Sequence, residues 1–138
     1  MKDLNEILKV VASTSDRYGT GTTDVNKKNM LGDTPLHVVC RWGDIDAAVT
    51  LIKAGADVNA RGEYGMTPLF DAIASADIIK MLIDAGADPL IKTEGYNSAE
   101  ETALSIARIG EKNSDSKRVM ELLETATLEA EQRKRKNT

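Results

Sequence analysis

The feature that most constrains this 138-residue chain is a tandem repeat. The sequence Thr-Pro-Leu-His at 34–37 returns as Thr-Pro-Leu-Phe at 67–70, 33 residues later, and Asp-Val-Asn at 24–26 returns as Asp-Val-Asn at 57–59 with the same spacing. A third and weaker copy begins at Thr102. Repeats of this length are single supersecondary units that bury their apolar faces only by stacking on their neighbours. The sequence therefore predicts a stacked array.

The repeated motifs carry helix start and stop signals. Thr34 and Thr67 each precede a proline, and threonine at the N-cap followed by proline at the first helical position favours a helix start. Gly55 supplies a left-handed stop for the second helix of the unit. Apolar residues at helical spacing predict the buried faces, namely Leu36, Val39 and Cys40 in the first helix and Ile45, Val49, Leu51 and Ile52 in the second.

These motifs resemble the ankyrin repeat, in which a turn leads into T-P-L-H, two helices follow, and the unit ends in G-A-D-V-N. The resemblance extends from about Asp24 to Ala126. It implies an all-α solenoid of stacked antiparallel helix pairs with protruding turns and irregular capping units at both ends. The implied single domain, residues 1–126, comprises an N-terminal cap 1–28, repeats 29–61 and 62–92, and an irregular repeat 93–126, followed by a charged helix end or tail at 127–138.

Both ends depart from the repeat pattern. Leu4, Ile7, Leu8 and Val11 are spaced i, i+3, i+4, i+7, which predicts an amphipathic capping helix over 4–12. A polar loop follows at 13–23. The turn before Thr102 is four residues longer than the turn before Thr67, and Val119, Leu122 and Leu123 mark a final helix that continues toward the basic run 133–136.

Composition and charge narrow the classes of function. The chain has 18 basic and 22 acidic residues, and without residues 129–138 the balance becomes 14 to 20. This acidity argues against nucleic acid as a partner. No apolar run approaches the roughly 20 residues that span a bilayer, and the first residues make a poor secretory signal. The single cysteine cannot form an internal disulfide, which favours a cytoplasmic protein. Because no apolar run could span a bilayer, we expect no membrane partner.

The sequence predicts that the chain is not an enzyme and that it has no metal site and no cofactor. His37 is the single histidine and is expected to hydrogen-bond neighbouring turns, since Phe70 replaces it in the next unit. Cys40 is expected to be buried, where a thiol is inert. Asp44, Asp46, Asp77 and Asp84 lie at helix starts or outward faces, where aspartate stabilises a helix without any catalytic role.

A site for a protein partner is the better prediction. The resemblance implies docking on the concave side, through turn tips and the exposed ends of each first helix. Four of the five aromatic rings lie outside the expected core, and Trp and Tyr are enriched at interface hot spots. The alternative is that these rings only pack over turns and helix links. The candidate residues are Met30, Leu31, Asp33, Arg41 and Trp42, then Glu63, Tyr64, Met66, Ala74 and Ser75, then Tyr96, Glu100 and Glu101.

The acidic residues beside those rings favour a basic partner. Asp71 is an oddity, because its counterpart in the first repeat is Val38; it is interpreted either as the exposed edge of the groove or as a partner-facing charge. The sequence thus predicts a monomeric module that binds one protein. Stand-alone chains of the resembled family act as inhibitors, adaptors or, in bacteria, immunity proteins that neutralise a toxin. The alternative is a scaffold subunit that self-associates through the helix from about Lys117.

Overall fold

The computed structural model describes residues 3–13, 24–95, 100–110 and 112–137. This part of the chain contains seven α-helices and no β-strand, which confirms the all-α prediction. A short 3₁₀ turn, Glu63–Gly65, precedes the fourth helix. The helices are α1 (Leu4–Ser13), α2 (Pro35–Trp42), α3 (Ile45–Lys53), α4 (Pro68–Asp71), α5 (Ala76–Asp84), α6 (Ala103–Ile109) and α7 (Ser116–Lys136).

The first helix of each unit begins where the sequence predicts. Thr34, Thr67 and Thr102 are N-cap residues with extended backbone, at ψ 167°, 169° and 166°. Pro35 and Pro68 occupy the first helical position, where a missing N–H leaves no bond unmade. Gly55 follows α3 at φ 99°, so the predicted left-handed stop is confirmed. These local signals explain why the units start in register.

The helices stack in two layers. In the inner layer α2 packs on α4 and α4 on α6, while in the outer layer α3 packs on α5 and α5 on α7. Helix α1 packs against both α2 and α3. The core between the layers is aliphatic, and of the described aromatic rings only Phe70 is buried. The predicted stack of helix pairs is confirmed, and its largest fully buried side chains include Leu36, Leu51, Leu69, Ile78, Ile79, Leu82 and Leu123.

Helix α3 faces the core through alanines that the apolar pattern overlooked. Ala47, Ala48 and Leu51 are buried, whereas Ile45 is exposed. Successive residues of a helix are rotated by about 100°, so Ile45 lies about 160° from Ala47 but only about 60° from Ala48, at the edge of the buried face. Val49 and Ile52 are partly buried at the edges of this face. Only part of the predicted face of α3 is therefore correct.

Asparagine side chains link the turns of successive units. The Asn26 amide donates to the Gly55 carbonyl at 3.2 Å, and its oxygen accepts from the Asp57 N–H at 2.8 Å. One unit later Asn59 makes the same two bonds, to Gly86 at 3.2 Å and from Asp88 at 2.7 Å. Each asparagine therefore fixes the end of the next outer helix.

Helix α7 is the longest element, with 21 residues. Its first half packs on α5 and α6 through Val119, Leu123 and Ala126, while residues 131–137 are exposed. The predicted continuation into the basic run at 133–136 is confirmed. Among the described helices, none combines the length and apolarity needed to cross a membrane.

Candidate protein-binding surface

Two consecutive turns present apolar side chains to solvent. Leu31 and Tyr64 occupy equivalent positions, 33 residues apart, and both are exposed, as is Met30, at 85%. The side chain of Glu63 lies beside Tyr64 in the second turn. We call Met30, Leu31, Glu63 and Tyr64 the turn-tip surface. Exposed apolar side chains at successive tips are unusual for a solvated turn and suit a contact surface.

Tyr64 is held in an uncommon backbone conformation. Its φ of 56° and ψ of 26° lie in the left-handed region, and it is the only described residue other than glycine with positive φ. This conformation costs an L residue about 1–2 kcal/mol. The Tyr64 carbonyl accepts from the Glu94 N–H at 2.7 Å, which ties the tip to the next turn. The fold therefore fixes where the half-exposed ring points.

Asp33 does not belong to the turn-tip surface, contrary to the sequence-based prediction. Its carboxylate is buried, accepts from the Glu63 N–H at 3.0 Å and pairs with Arg41 Nη2 at 2.9 Å. Although burial raises the pKa of Asp33, the bonds from Glu63 and Arg41 outweigh it and hold that pKa below its usual value. Asp33 joins two turns from inside, so it has no free surface to offer a partner.

Asp71 completes a charged bridge between the first two inner helices. Arg41 donates from Nε at 3.2 Å and from Nη2 at 3.1 Å to the same Asp71 oxygen. Burial raises the pKa of Asp71 to about 6, against the lowering effect of Arg41. This pairing explains the charge at the position of Val38. The Arg41 guanidinium remains half-exposed, so it still borders the surface next to Asp71.

His37 performs the predicted linking role. Its Nδ1 accepts from the Thr34 N–H at 3.0 Å and from the Thr34 hydroxyl at 2.9 Å, while Nε2–H donates to the Met66 carbonyl of the next unit at 2.9 Å. Burial lowers the pKa of His37, which favours this neutral tautomer. The ring is fully buried, so it is not placed to meet a substrate.

Gly62 is a structural requirement that the sequence analysis missed. A Cβ at this position would lie 2.2 Å from Asp33 Oδ1 and 3.0 Å from His37 Nε2. The glycine therefore makes room for the buried polar cluster beneath the turn tips. Its signal in the sequence is a glycine where the preceding unit has Asn29.

The other candidates from the sequence divide between surface and structural roles. Ala74 and Glu100 are exposed, and Met66 is partly buried. Ser75 is the N-cap of α5 and accepts from the Ile78 N–H at 3.4 Å. The Glu101 carboxylate accepts from the Ser105 hydroxyl. Tyr96, like Tyr18, lies outside the described residues.

Trp42 lies away from the turn tips. It is the last residue of α2, at the opposite end of this eight-residue helix from the turn that holds Leu31. Its ring borders a cleft of about 240 Å³ between α1 and the α2–α3 pair. We call this the α1 cleft, and it is lined by Glu6, Ile7, Val10, Val39, Trp42, Asp44 and Ala47. Val10 was missed by the sequence analysis, although it is an apolar residue outside the repeating stripe of α1.

Cys40 and Asp44 both have structural surroundings. Cys40 is buried, and burial raises the pKa of its thiol far above the usual range, so it stays protonated. The carboxylate of Asp44 is engaged as the N-cap of α3, accepting from the Ala47 N–H at 3.1 Å. Among the described residues there is no cluster of three or more His, Cys, Asp and Glu side chains that could hold a metal ion.

Comparison with known proteins identifies the repeat. The family model described as ankyrin repeats (3 copies) matches residues 3–93. This match includes α1, both strong units and the turn after α5.

Several curated proteins are similar to part of the chain. The chain is 39% identical over 80 residues to the ADP-ribosylation factor GTPase-activating protein AGD2 of Arabidopsis thaliana, which covers 56% of the chain and 10% of that protein. It is 34% identical over 84 residues to human BCL-6 corepressor-like protein 1, which covers 59% of the chain and 5% of that protein. A putative ankyrin repeat protein of Rickettsia bellii is 33% identical over 84 residues, which covers 58% of the chain and 35% of that protein. The chain thus spans a small part of each relative.

Proposed function

The chain belongs to the ankyrin-repeat family, whose repeats typically mediate protein–protein interaction without catalysis, and from this we propose that it binds one protein partner through the turn-tip surface. The observation that supports the proposal most directly is the exposure of Met30, Leu31 and Tyr64 at successive tips. Arg41 and Glu100 border the contact in this proposal, and the concave side of the inner helices continues it. A stable interface of standard size buries about 1,200–2,000 Å² in total.

The left-handed turn at Tyr64 supports a contact role for its ring. An aromatic side chain has few rotatable bonds, so it loses little entropy when a partner covers it. The hydrogen bond from the Glu94 N–H to the Tyr64 carbonyl already positions this turn before any partner binds. Pre-organisation of this kind improves affinity because the cost of ordering is met during folding.

We propose a basic partner. Before residue 129 the chain has 20 acidic and 14 basic side chains, and Glu63 places a carboxylate in the turn-tip surface itself. Complementary charge steers encounter and raises the association rate. In this proposal the partner's association rate falls as salt concentration rises.

The proposed role is that of an inhibitor, including the case of an immunity protein that neutralises a toxin. A chain that acts by covering its partner needs a rigid surface and no chemistry of its own, which agrees with the buried states of His37 and Cys40. We further propose that the free chain is monomeric and acts in the cytoplasm. The protein encoded next to this chain is the first partner to test.

The test is a quantitative binding assay with turn-tip variants. Tyr64→Asn removes the ring while keeping a residue that tolerates positive φ, and Met30→Ala shortens the most exposed side chain. We expect Tyr64→Asn to weaken partner binding about 30-fold, a loss of about 2 kcal/mol that is typical of a hot spot.

Leu128→Ala on α7 is the matched control, because Leu128 is also an exposed apolar residue but lies far along the chain from the tips. It should bind like the original chain. Unchanged affinity for Tyr64→Asn would contradict the turn-tip surface. So would a loss of several kcal/mol in unfolding free energy, since the ring would then be structural.

Self-association through the last unit is the second candidate. Ile109 at the end of α6 and Leu128 on α7 are exposed at 76% and 55%, and such residues suit an interface between copies. Sedimentation velocity of the chain and of Leu128→Asp separates the two functions. A concentration-dependent dimer that the substitution abolishes would support this alternative, and a monomer throughout would remove it.

A further inference from the structure

The α1 cleft is a second surface that the turn-tip proposal does not use. Its floor is core, because Ile7, Val39 and Ala47 are all buried. Its walls are Val10 on α1 and Trp42 on α2, which remain 52% and 46% exposed. Two large apolar side chains from different helices thus line one opening above buried core residues. Single exposed apolar residues are normal on a protein surface, whereas two that share an opening suggest a binding site.

The size of the cleft indicates what it can hold. Its volume of about 240 Å³ falls below the roughly 300–1,000 Å³ of pockets for cofactors and drug-sized ligands. It is large enough for one aliphatic side chain and part of a neighbouring one. The occupant suggested by size is therefore a side chain of another polypeptide.

The charge of the cleft indicates what surrounds that side chain. Two of its lining residues, Glu6 and Asp44, are acidic, and none of the described lysines and arginines lines it. The nearest arginine in sequence, Arg41, is paired with Asp33 and Asp71. A cation beside the aliphatic side chain would meet carboxylates and the Trp42 ring, which attracts cations through its π face.

We propose that the α1 cleft binds a short basic segment of a partner protein, with one aliphatic side chain on the floor of Ile7, Val39 and Ala47 and a Lys or Arg beside Trp42 and Glu6. The segment is recognised by an apolar anchor with flanking positive charge. This contact is independent of the turn-tip surface, so either can fail while the other holds.

Trp42 makes the proposal directly testable, because it is the single tryptophan of the chain. Its fluorescence is followed while the full chain is titrated with a short synthetic peptide that has one leucine flanked by lysines in a Gly/Ser background. We expect a saturable blue shift with a dissociation constant on the order of 0.1–1 mM, since one anchor and one charge bury little surface. A peptide with glutamates in place of the lysines should bind at least about tenfold more weakly.

Three variants locate the response. Val10→Lys replaces an apolar side chain of the cleft wall with a positive charge at an exposed position and should abolish the shift, with circular dichroism confirming the fold. Leu128→Lys makes the same kind of change at similar exposure on α7 and should leave the titration unchanged. Tyr64→Asn should also leave it unchanged, which separates this inference from the turn-tip proposal.

The proposal would be overturned by any of three results. The first is no shift with the lysine peptide at concentrations up to about 5 mM, well above the expected dissociation constant. The second is equal binding of the glutamate peptide. The third is a shift that depends on protein concentration alone, which would mean that a second copy of the chain covers the cleft.

Discussion

Thr34 and Thr67 occupy the same N-cap position in successive units, but only one of their hydroxyls is bonded. The Thr34 hydroxyl bonds His37 Nδ1 at 2.9 Å, whereas the Thr67 hydroxyl is buried with no hydrogen-bond partner among the described residues. In the second unit Phe70 replaces the histidine, and its side chain has no atom that could hydrogen-bond the Thr67 hydroxyl. The third unit restores a polar partner in Ser105, whose Oγ accepts from the Thr102 N–H at 2.9 Å.

The threonine pair predicts unequal effects of one substitution. Thr34→Val removes the hydroxyl bond to His37 Nδ1 but keeps the bond from the backbone N–H, so it should lower the unfolding free energy by about 0.5–1.5 kcal/mol. Thr67→Val removes a hydroxyl that has no bond to lose, so its effect should stay within about 0.5 kcal/mol or be stabilising. Urea unfolding followed by circular dichroism measures both. Equal losses would contradict the assignment of the two hydroxyls.

Asp71 predicts a pH dependence of stability. Its pKa in the folded chain is about 6, above the ordinary value of 3.8, because of burial. Folding therefore takes up a proton between these values, and the stability gained from protonated Asp71 is present at low pH and is lost as pH rises through about 6. The side chain of the Asp71→Asn variant does not titrate. Between about pH 4 and pH 7 the unfolding free energy of this variant, relative to that of the original chain, should therefore rise by up to roughly 3 kcal/mol.

The measurement is the difference in unfolding free energy between Asp71→Asn and the original chain, taken at several pH values. Using the difference removes the contributions of titrating groups that interact with neither Asp71 nor Arg41. A difference that stays constant across this range would show that Asp71 titrates at its ordinary value, with Arg41 offsetting its burial.

At the scale of elements, the two units with the same motif differ in helix length. Helix α2 spans eight residues, but α4 spans only Pro68–Asp71. The second unit has two residues fewer between its threonine and its terminal glycine, so Ala72 ends the helix after one turn by bonding the Pro68 and Leu69 carbonyls. The motif spacing indicates two residues fewer between the helices of this unit, whereas the structure shows the shortening in the inner helix.

Helix α7 predicts tolerance to truncation at its far end. Residues 131–137 are exposed, so ending the chain after Ala130 removes little buried surface. We expect the unfolding free energy to change by less than about 0.5 kcal/mol. Leu123→Ala, in the buried half of the same helix, is the control and should cost about 2–5 kcal/mol. A loss above 2 kcal/mol from the truncation would mean that the basic turns make stabilising contacts.

At the scale of the whole molecule, stability depends on covering the faces of the stack. Helix α1 places Ile7, Leu8 and Val11 against α2 and α3, and all three are buried. At about 1.5–3 kcal/mol each, their loss approaches the roughly 5–15 kcal/mol that stabilises a domain. Unpaired faces of a repeat array also favour aggregation.

Deleting residues 1–13 should therefore leave a chain that is largely unfolded or aggregated at 37 °C. Far-UV circular dichroism and size-exclusion chromatography measure this, with the chain ended after Ala130 as the control that keeps α1. A monomer with a cooperative melt within a few degrees of the original would contradict this role of α1.

Local sequence alone determined the helix starts, the left-handed stop at Gly55 and the period of the stack, because caps, prolines and glycines act within one turn of the chain. The resemblance to the ankyrin repeat, rather than these local signals, implied the all-α fold and the position of Tyr64 at a turn tip. The tertiary structure alone decided that Asp33 is buried, that Asp71 pairs with Arg41, and that Trp42 and Val10 share a cleft. Each of those depends on contacts between residues about 30 positions apart or on different helices, where burial and charge arise from stacking that no local pattern encodes.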